Sequence, residues 1–267
     1  MGKIVEVGLP TDSIDLYTIA GDWHSFSLHK PSYKILIEHA LLLPSHQRRL
    51  IINGDFCDIW YGMKSHDQYK TWKGRANGCD EFFLPHWEEE AQWANDMLDE
   101  LQMVFHTIIM IGGNHDQPRL DNIKKAVPTG YHHHFNYAES LNLEKRGITY
   151  LEYNDWLKIG KLMITHGQAH GTTAVKKHYE KSGAHNVIFS HVHQYELKSF
   201  HCVNDTVQVM SLPAMCDLNP EYIKNNETNW TNGFGQLAIK PNGNFNSVVY
   251  QIWDDELVLP TGKILKG

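Results

Sequence analysis

No stretch of this 267-residue chain approaches the roughly 18 consecutive apolar residues that a membrane helix needs, and no basic segment followed by an apolar run opens it. Neither a membrane span nor a signal peptide is expected, and a cytoplasmic location is. Cysteine is scarce. Cys57, Cys79, Cys202 and Cys216 form no Cys-x-x-Cys pair and no framework spacing, so reduced thiols are expected rather than disulfides. Positive charge is also short. The 24 Lys and Arg against 31 Asp and Glu leave a formal charge of -7, which excludes a protein whose main task is to coat nucleic acid. It does not exclude a nuclease, because bound cations supply positive charge locally. Internal repeats, low-complexity tracts and linkers are absent too, so one domain over residues 1–267 is expected. The Asn-x-Thr patterns at Asn204, Asn226 and Asn229 are read as chance.

What is abundant is histidine, 18 residues, and its placement is uneven. The apolar run Leu50 to Asn53 breaks at Gly54 and delivers Asp55, with Asp58 three positions on. This is a buried strand presenting a carboxylate at its carboxyl end, where α/β sheets bind ligands. The pattern recurs. A strand over 14–20 ends in Asp22 and His24, which period-two geometry would aim the same way. Thr107 to Ile111 runs into Gly112-Gly113-Asn114-His115-Asp116, a strand over 156–165 ends in His166, and Val187 to Ser190 ends in His191 and His193.

Between these strands, helices are expected over 31–43, 86–104, 118–127 and 172–182 from their apolar spacing and breakers. Residues 148–153 and 156–165 read as strands about an Asn154-Asp155 turn. Two hairpins follow, turning at Asn204-Asp205 and Asn242-Gly243. The aromatic-rich stretch from Tyr61 to Pro85 reads as an irregular loop, the first part of a cap over about 61–104. Glu88, Glu89 and Glu90 read as a solvated helix face. His132, His133 and His134 lie in a loop that no strand end holds, and their role is left open.

Five motifs in this order, Asp22-Trp23-His24, Gly54-Asp55-Phe56-Cys57-Asp58, Gly113-Asn114-His115-Asp116, His166 and Ser190-His191-Val192-His193, resemble those of the calcineurin-like metallophosphoesterases, in their small bacterial or phage-type branch. The match runs from Gly21 to His193 and departs at Ser190, where that family usually has glycine.

The resemblance implies an α/β fold, a four-layer α/β/β/α sandwich. It implies two divalent ions, Mn first and then Fe, Zn, Co or Ni. Asp22, His24 and His193 would hold one ion, Asn114, His166 and His191 the other, and Asp55 would bridge them. It also implies that a metal-activated hydroxide attacks phosphorus, with His115 protonating the leaving oxygen and Asp58 orienting His115. Asp116 and Asp12 are taken as structural.

The expected activity is that of a phosphodiesterase. The arginine that follows Gly-Asp-x-x-Asp in protein phosphatases is missing, and His115 stands where the lipid A pathway enzymes have arginine. A DNA or RNA nuclease is the first alternative. In it Lys176, Lys177 and Lys181, with Arg119 and Lys124, would track a phosphate backbone, and Trp60, Tyr61, Tyr69 and Trp72 would stack bases. A catalytically idle metal-binding module is the second. Gln168, His170 and Lys176 are candidate substrate contacts. No membrane partner is expected.

Overall fold

A computed structural model describes residues 2–202, 205–220 and 228–267. Asn204, from one expected turn, and Asn226, from one Asn-x-Thr pattern, lie outside them. Two six-stranded sheets form the centre. The first contains β2 (Asp15–Ala20), β3 (Arg49–Asn53), β4 (Thr107–Ile111) and β5 (Thr149–Leu151), all parallel. It is extended beyond β2 by the antiparallel strands β11 (Asn232–Ile239) and β12 (Phe245–Ile252). The second is ordered β1 (Ile4–Val7), β6 (Trp156–Ile159), β7 (Leu162–Thr165), β8 (Asn186–Phe189), β10 (Thr206–Ser211) and β9 (Glu196–His201). A short hairpin, β13 (Glu256–Val258) with β14 (Ile264–Lys266), closes the chain.

Strand pleating sorts the apolar side chains into layers. Ile51 of β3 and Ile109 of β4 point between the sheets, where they meet Leu162 and Ile164 of β7 and Ile188 of β8. Their neighbours Leu50, Ile52, Ile108 and Met110 face the other way. There they meet Ile35, Leu36 and Ala40 of α1 (Lys30–Leu41) and Ala94, Leu98 and Leu101 of α3 (Leu84–Val104). On the far face of the second sheet, Met163, Val187, Phe189 and Val209 pack on Ala174 and Val175 of α6 (Ala174–Lys181). Strands covered on both faces read as continuous apolar runs, which is why they stood out in the sequence. The result is the expected four-layer α/β/β/α sandwich.

Several local expectations change. Residues 156–165 are a hairpin, β6 and β7, folded at Gly160 in the left-handed region, rather than one strand. Asn154-Asp155 carries the chain from the first sheet to the second. The expected loop over 61–85 contains α2 (Asp67–Trp72) and a π-turn over Cys79–Phe83 that runs into α3. Its aromatics hold it: Trp72 stacks on Phe82, and Tyr69 and Phe83 meet edge to face. Tyr69 donates to the Asn122 carbonyl of α4 (Gln117–Lys124), the helix that follows β4. All four cysteines are free, and no helix among the described residues is long and apolar enough to cross a membrane.

His39 of α1 is 4 % exposed and wedged between the rings of Phe234 and Tyr250, and its Nδ1 has no partner. Burial pulls its pKa from 6.5 to about 4. The folded state therefore binds fewer protons here than the unfolded chain. Its contribution is complete above pH 6.5 and is lost as pH falls from there towards 4. His39→Phe should fill the same space and shrink the loss of stability between pH 7 and pH 4.5, read from denaturant midpoints. An unchanged difference between the two pH values would show that the ring does not titrate in this way.

Candidate metal centre

The strand ends named above meet at the floor of a cavity of about 960 Å³, lined in part by Asp55, Asp58, His115, His191 and His193. Asp22 and His24 follow β2, Asp55 and Asp58 follow β3, and Asn114 and His115 follow β4. His166 follows β7, and His191 and His193 follow β8, so the donors come from both sheets.

They do not project from strand pleats, as period two suggested. Asp22, His24, Asp55, His191 and His193 all have φ between 49° and 74°, the left-handed region that costs a residue with a Cβ energy. The chain turns back sharply at each, so residues one or two apart reach the same point. Left-handed backbone at five candidate ligand positions is strain of the kind that clusters at functional sites.

Two glycines make the crowding feasible. A Cβ on Gly54, itself at φ 84°, would enter the His166 ring, and one on Gly113 would overlap the Asp55 carboxylate and amide. Ser190, the departure from the family pattern, is fully buried and accepts a bond from the Asn53 side chain at 2.9 Å. Its hydroxyl fills the space that Gly21 leaves open and ties the end of β8 to that of β3.

Asp55, 1 % exposed, is the focus. One carboxylate oxygen lies 3.2 Å from Nε2 of His166, 3.9 Å from Nε2 of His115 and 4.0 Å from Nε2 of His24. The other accepts the His115 amide at 2.8 Å. Asp55, His166 and His191 could hold one cation between them, and His24 and His193 have converging nitrogens 3.3 Å apart, with Asp22 3.3 Å from His193. Asn114 places its amide oxygen 3.1 Å from Nε2 of His166. All seven ligands expected from the sequence come together.

The chemistry of this donor set fits cations. His166 commits its Nδ1 proton to the Asn53 carbonyl at 2.9 Å, which leaves an Nε2 lone pair facing two oxygen acceptors. His24 donates from Nδ1 to Asp58 at 3.2 Å, and its Nε2 faces that of His193. Lone pairs turned on one another are tolerable only around positive charge, and outer partners that fix the tautomer are what metal-binding imidazoles need. In titration the same carboxylates draw protons to these nitrogens, and a cation would have to displace them. Burial pushes Asp55 up, but His115, His166 and His24 outweigh it and hold the carboxyl well below its usual range. Burial opposes a charge on His166, yet Asp55 lifts it to about 9, and the Asp58 bond lifts His24 to about 9 in the same way.

Beside this centre, His115 donates from Nδ1 to Asp58 at 2.8 Å, the expected pair. Asp116 is structural as expected: it accepts the Cys57 and Gly113 amides at 3.0 and 2.7 Å and binds the β3 and β4 loops together.

Other assignments move. Arg119 does not lie opposite the lysines. It donates to His115 Nε2 at 2.7 Å and to the Asp58 carbonyl at 2.6 Å. Lys124 pairs with Asp121, and Lys176, exposed, with Glu180. Gln168 accepts from Lys181 in a separate hollow that His170 and Lys177 also line. His170 stays near the centre, its ring 6.4 Å from that of His191. Of the four aromatics expected to stack bases, Trp60 lines the cavity, whereas Tyr61 and Tyr69 are buried and Trp72 is stacked on Phe82. His133 and His134 line a different hollow beside α3.

Sequence reasoning missed Phe26, Trp230 and Asp217 in the cavity wall, since no motif contains them. It also misread Glu90, which is 2 % exposed. Glu90 lies three residues after Trp87 and four before Ala94, inside the apolar stripe of α3, and that spacing was the available signal.

No protein-family model and no curated protein matches the sequence. Solved structures do. Vps29 of Chaetomium thermophilum is 10% identical, over 95% of this chain and 96% of that one, with a TM-score of 0.46. Vps29 of Entamoeba histolytica complexed with zinc is 14% identical over 94% and 98%, with a TM-score of 0.43. A predicted phosphoesterase of Streptococcus pneumoniae is 11% identical over 96% and 99%, with a TM-score of 0.36.

The close approach of Gly113 to Asp55 gives a test of the site's construction. Gly113→Ala should destabilise the protein by about 1–3 kcal/mol, the usual range for overpacking, and weaken divalent-ion binding, read by calorimetric titration. Unaltered ion affinity would show that the β4 loop does not fix Asp55.

Proposed function

We propose that this chain, which has the four-layer fold of the calcineurin-like metallophosphoesterases, hydrolyses phosphoesters with two divalent cations, and that its substrates are diesters. The observation that carries the reading is the convergence of six further candidate ligands on Asp55 beside the His115–Asp58 pair. Asp22, His24 and His193 would hold one ion, Asn114, His166 and His191 the other, and Asp55 both. Imidazole with oxygen donors suits Mn, Fe, Zn, Co or Ni. Bound there, two such ions supply Lewis acidity, drawing charge from a phosphoryl oxygen and lowering the pKa of water so that hydroxide is available at neutral pH.

The rest falls to the protein. Asp55 could serve both ions because a carboxylate offers two anionic oxygens, whereas neutral Asn114 would limit the negative charge facing a phosphate. Asp58 accepts the Nδ1 proton of His115, fixing which nitrogen faces the cavity. In this structure that nitrogen accepts from Arg119, while burial holds the His115 pKa below its ordinary value against the pull of Asp55 and Asp58. His115 acts as an acid once Nε2 carries a proton. A guanidinium cannot donate to a protonated nitrogen, so Arg119 must then leave it, free to turn to the Asp58 carboxylate 3.4 Å away or to a bound phosphoryl group.

Charge favours a diester. Arg119 is the one arginine or lysine among the described residues lining the cavity, and Asp58 and Asp217 line it too. A monoanionic diester suits that balance better than a dianionic monoester. The aromatic walls, Phe26, Trp60 and Trp230, offer apolar surface to an ester group. Of the α6 lysines, Lys177 and Lys181 line another hollow.

Protein purified without chelator should contain close to two equivalents of divalent metal by elemental analysis and turn over bis-p-nitrophenyl phosphate faster than the monoester. Metal bound with no turnover would return the chain to the idle binding module. Asp55→Asn should lose both bound metal and activity. His115→Asn should keep its metal and lose about 10²–10⁴-fold in rate, the usual share of general acid catalysis, most severely with a poor leaving group. An undiminished rate with such an ester would remove His115 from the acid role.

A further inference from the structure

Glu90 is a buried carboxylate far from every motif, yet it ends at the catalytic loop. It projects from α3, is 2 % exposed, and has no cationic partner among its hydrogen bonds. Five bonds converge on its two oxygens. Oε1 accepts from the Ser25 hydroxyl, from the Asp58 amide at 2.6 Å and from the Ile59 amide at 3.1 Å. Oε2 accepts from the Ile59 amide at 3.2 Å and the Tyr61 hydroxyl at 2.9 Å. Taking a carboxylate out of water is costly unless it is fully hydrogen-bonded, and this one is.

What it holds is the backbone that carries Asp58. Ile59, next along, sits at φ 42°, a conformation a β-branched residue adopts only when its surroundings force it. Asp58 in turn receives Nδ1 of His115 at 2.8 Å and Nδ1 of His24 at 3.2 Å through a single oxygen. The Ser25 hydroxyl, itself bonded to the Asp58 amide at 2.9 Å, adds the segment that follows His24. One carboxylate thus anchors the support of both the acid and a ligand.

We propose that Glu90 is a positioning residue for this site. It clamps the Asp58–Ile59 turn so that Asp58 orients His115 for proton delivery and His24 for the first metal ion. The inference rests on the phosphoesterase reading for its kinetic arm only. A helix thereby sets the geometry of two loops that belong to different strands.

Chemistry orders the variants. Glu90→Leu has a similar volume and no acceptor, so it strands the Ile59 amide and leaves the Asp58 amide only the Ser25 hydroxyl. Glu90→Gln keeps one carbonyl oxygen for Asp58 and can offer its NH₂ to the oxygen of Tyr61, so it restores part of the function. With bis-p-nitrophenyl phosphate, whose leaving group needs little protonation, both variants at saturating Mn²⁺ should lose less rate than with an alkyl ester. With an alkyl ester, Glu90→Leu should lose at least tenfold in kcat and Glu90→Gln less, with KM changed less than twofold.

Two measurements are independent of turnover. The Asp58 and Ile59 amides of the unmodified protein should exchange with solvent as slowly as those of β3. Glu90→Leu should also weaken binding of one of two equivalents of Mn²⁺ by several fold, with Glu90→Gln between it and the parent. Equal rate losses for good and poor leaving groups, or fast exchange at those amides in the unmodified protein, would overturn the proposal. If Glu90→Leu does not fold, Glu90→Gln and the exchange measurement carry the test. An unmodified protein without turnover would refute the phosphoesterase reading, while exchange and Mn²⁺ binding would still decide the role of Glu90.

Discussion

Everything in this molecule answers to one carboxylate. Asp55 is buried between two sheets and surrounded by imidazoles, and an isolated charge could not remain there. Its negative charge is stabilised because His24, His115 and His166 point their nitrogens at it and the His115 amide donates to it. That requirement fixes where four loops must end, and those after β2 and β3 turn left-handed to meet it. It also explains the small residues: Gly113 and Gly54 are where those loops pass too near for a side chain. The fold supplies the opposing force, since the apolar layers on both faces of each sheet hold the strand ends in place against that strain.

The layered fold was legible because strands covered on both sides spell themselves as apolar runs, and each run stops at a glycine or a ligand. The ligand set was legible for a related reason. Asp55, His166 and His191 follow such runs directly, so a residue's place after a strand stood in for its place in space. Sequence said less wherever one residue's role depended on a distant one. Glu90 has the composition of a solvated acid, and only its position in the stripe of α3 betrays burial. Arg119 read as a backbone-tracking cation because its contact with His115, four residues back, depends on the turn that starts α4. Trp230 and Asp217 belong to loops without periodicity, so nothing in their neighbourhood pointed to the cavity they line.

In the proposed reaction, the His115–Asp58–Arg119 group would meet two opposite demands with few residues. A proton donor must be held firmly, yet its reactive nitrogen must be able to change partner. Asp58 supplies the firm hold from behind, with its own amide fixed by Glu90. Arg119 supplies the exchangeable partner in front, through a long side chain that also grips the Asp58 carbonyl. Lysine there would offer a point charge without the fork that reaches both.

The ligands are divided between the sheets: those after β2, β3 and β4 belong to one, those after β7 and β8 to the other. An ion held by donors of both origins is then a rivet across the interlayer seam, and its binding free energy becomes cohesion between the two halves of the sandwich. Heat resistance and catalytic competence would on that account rise and fall together with the supply of trace metal.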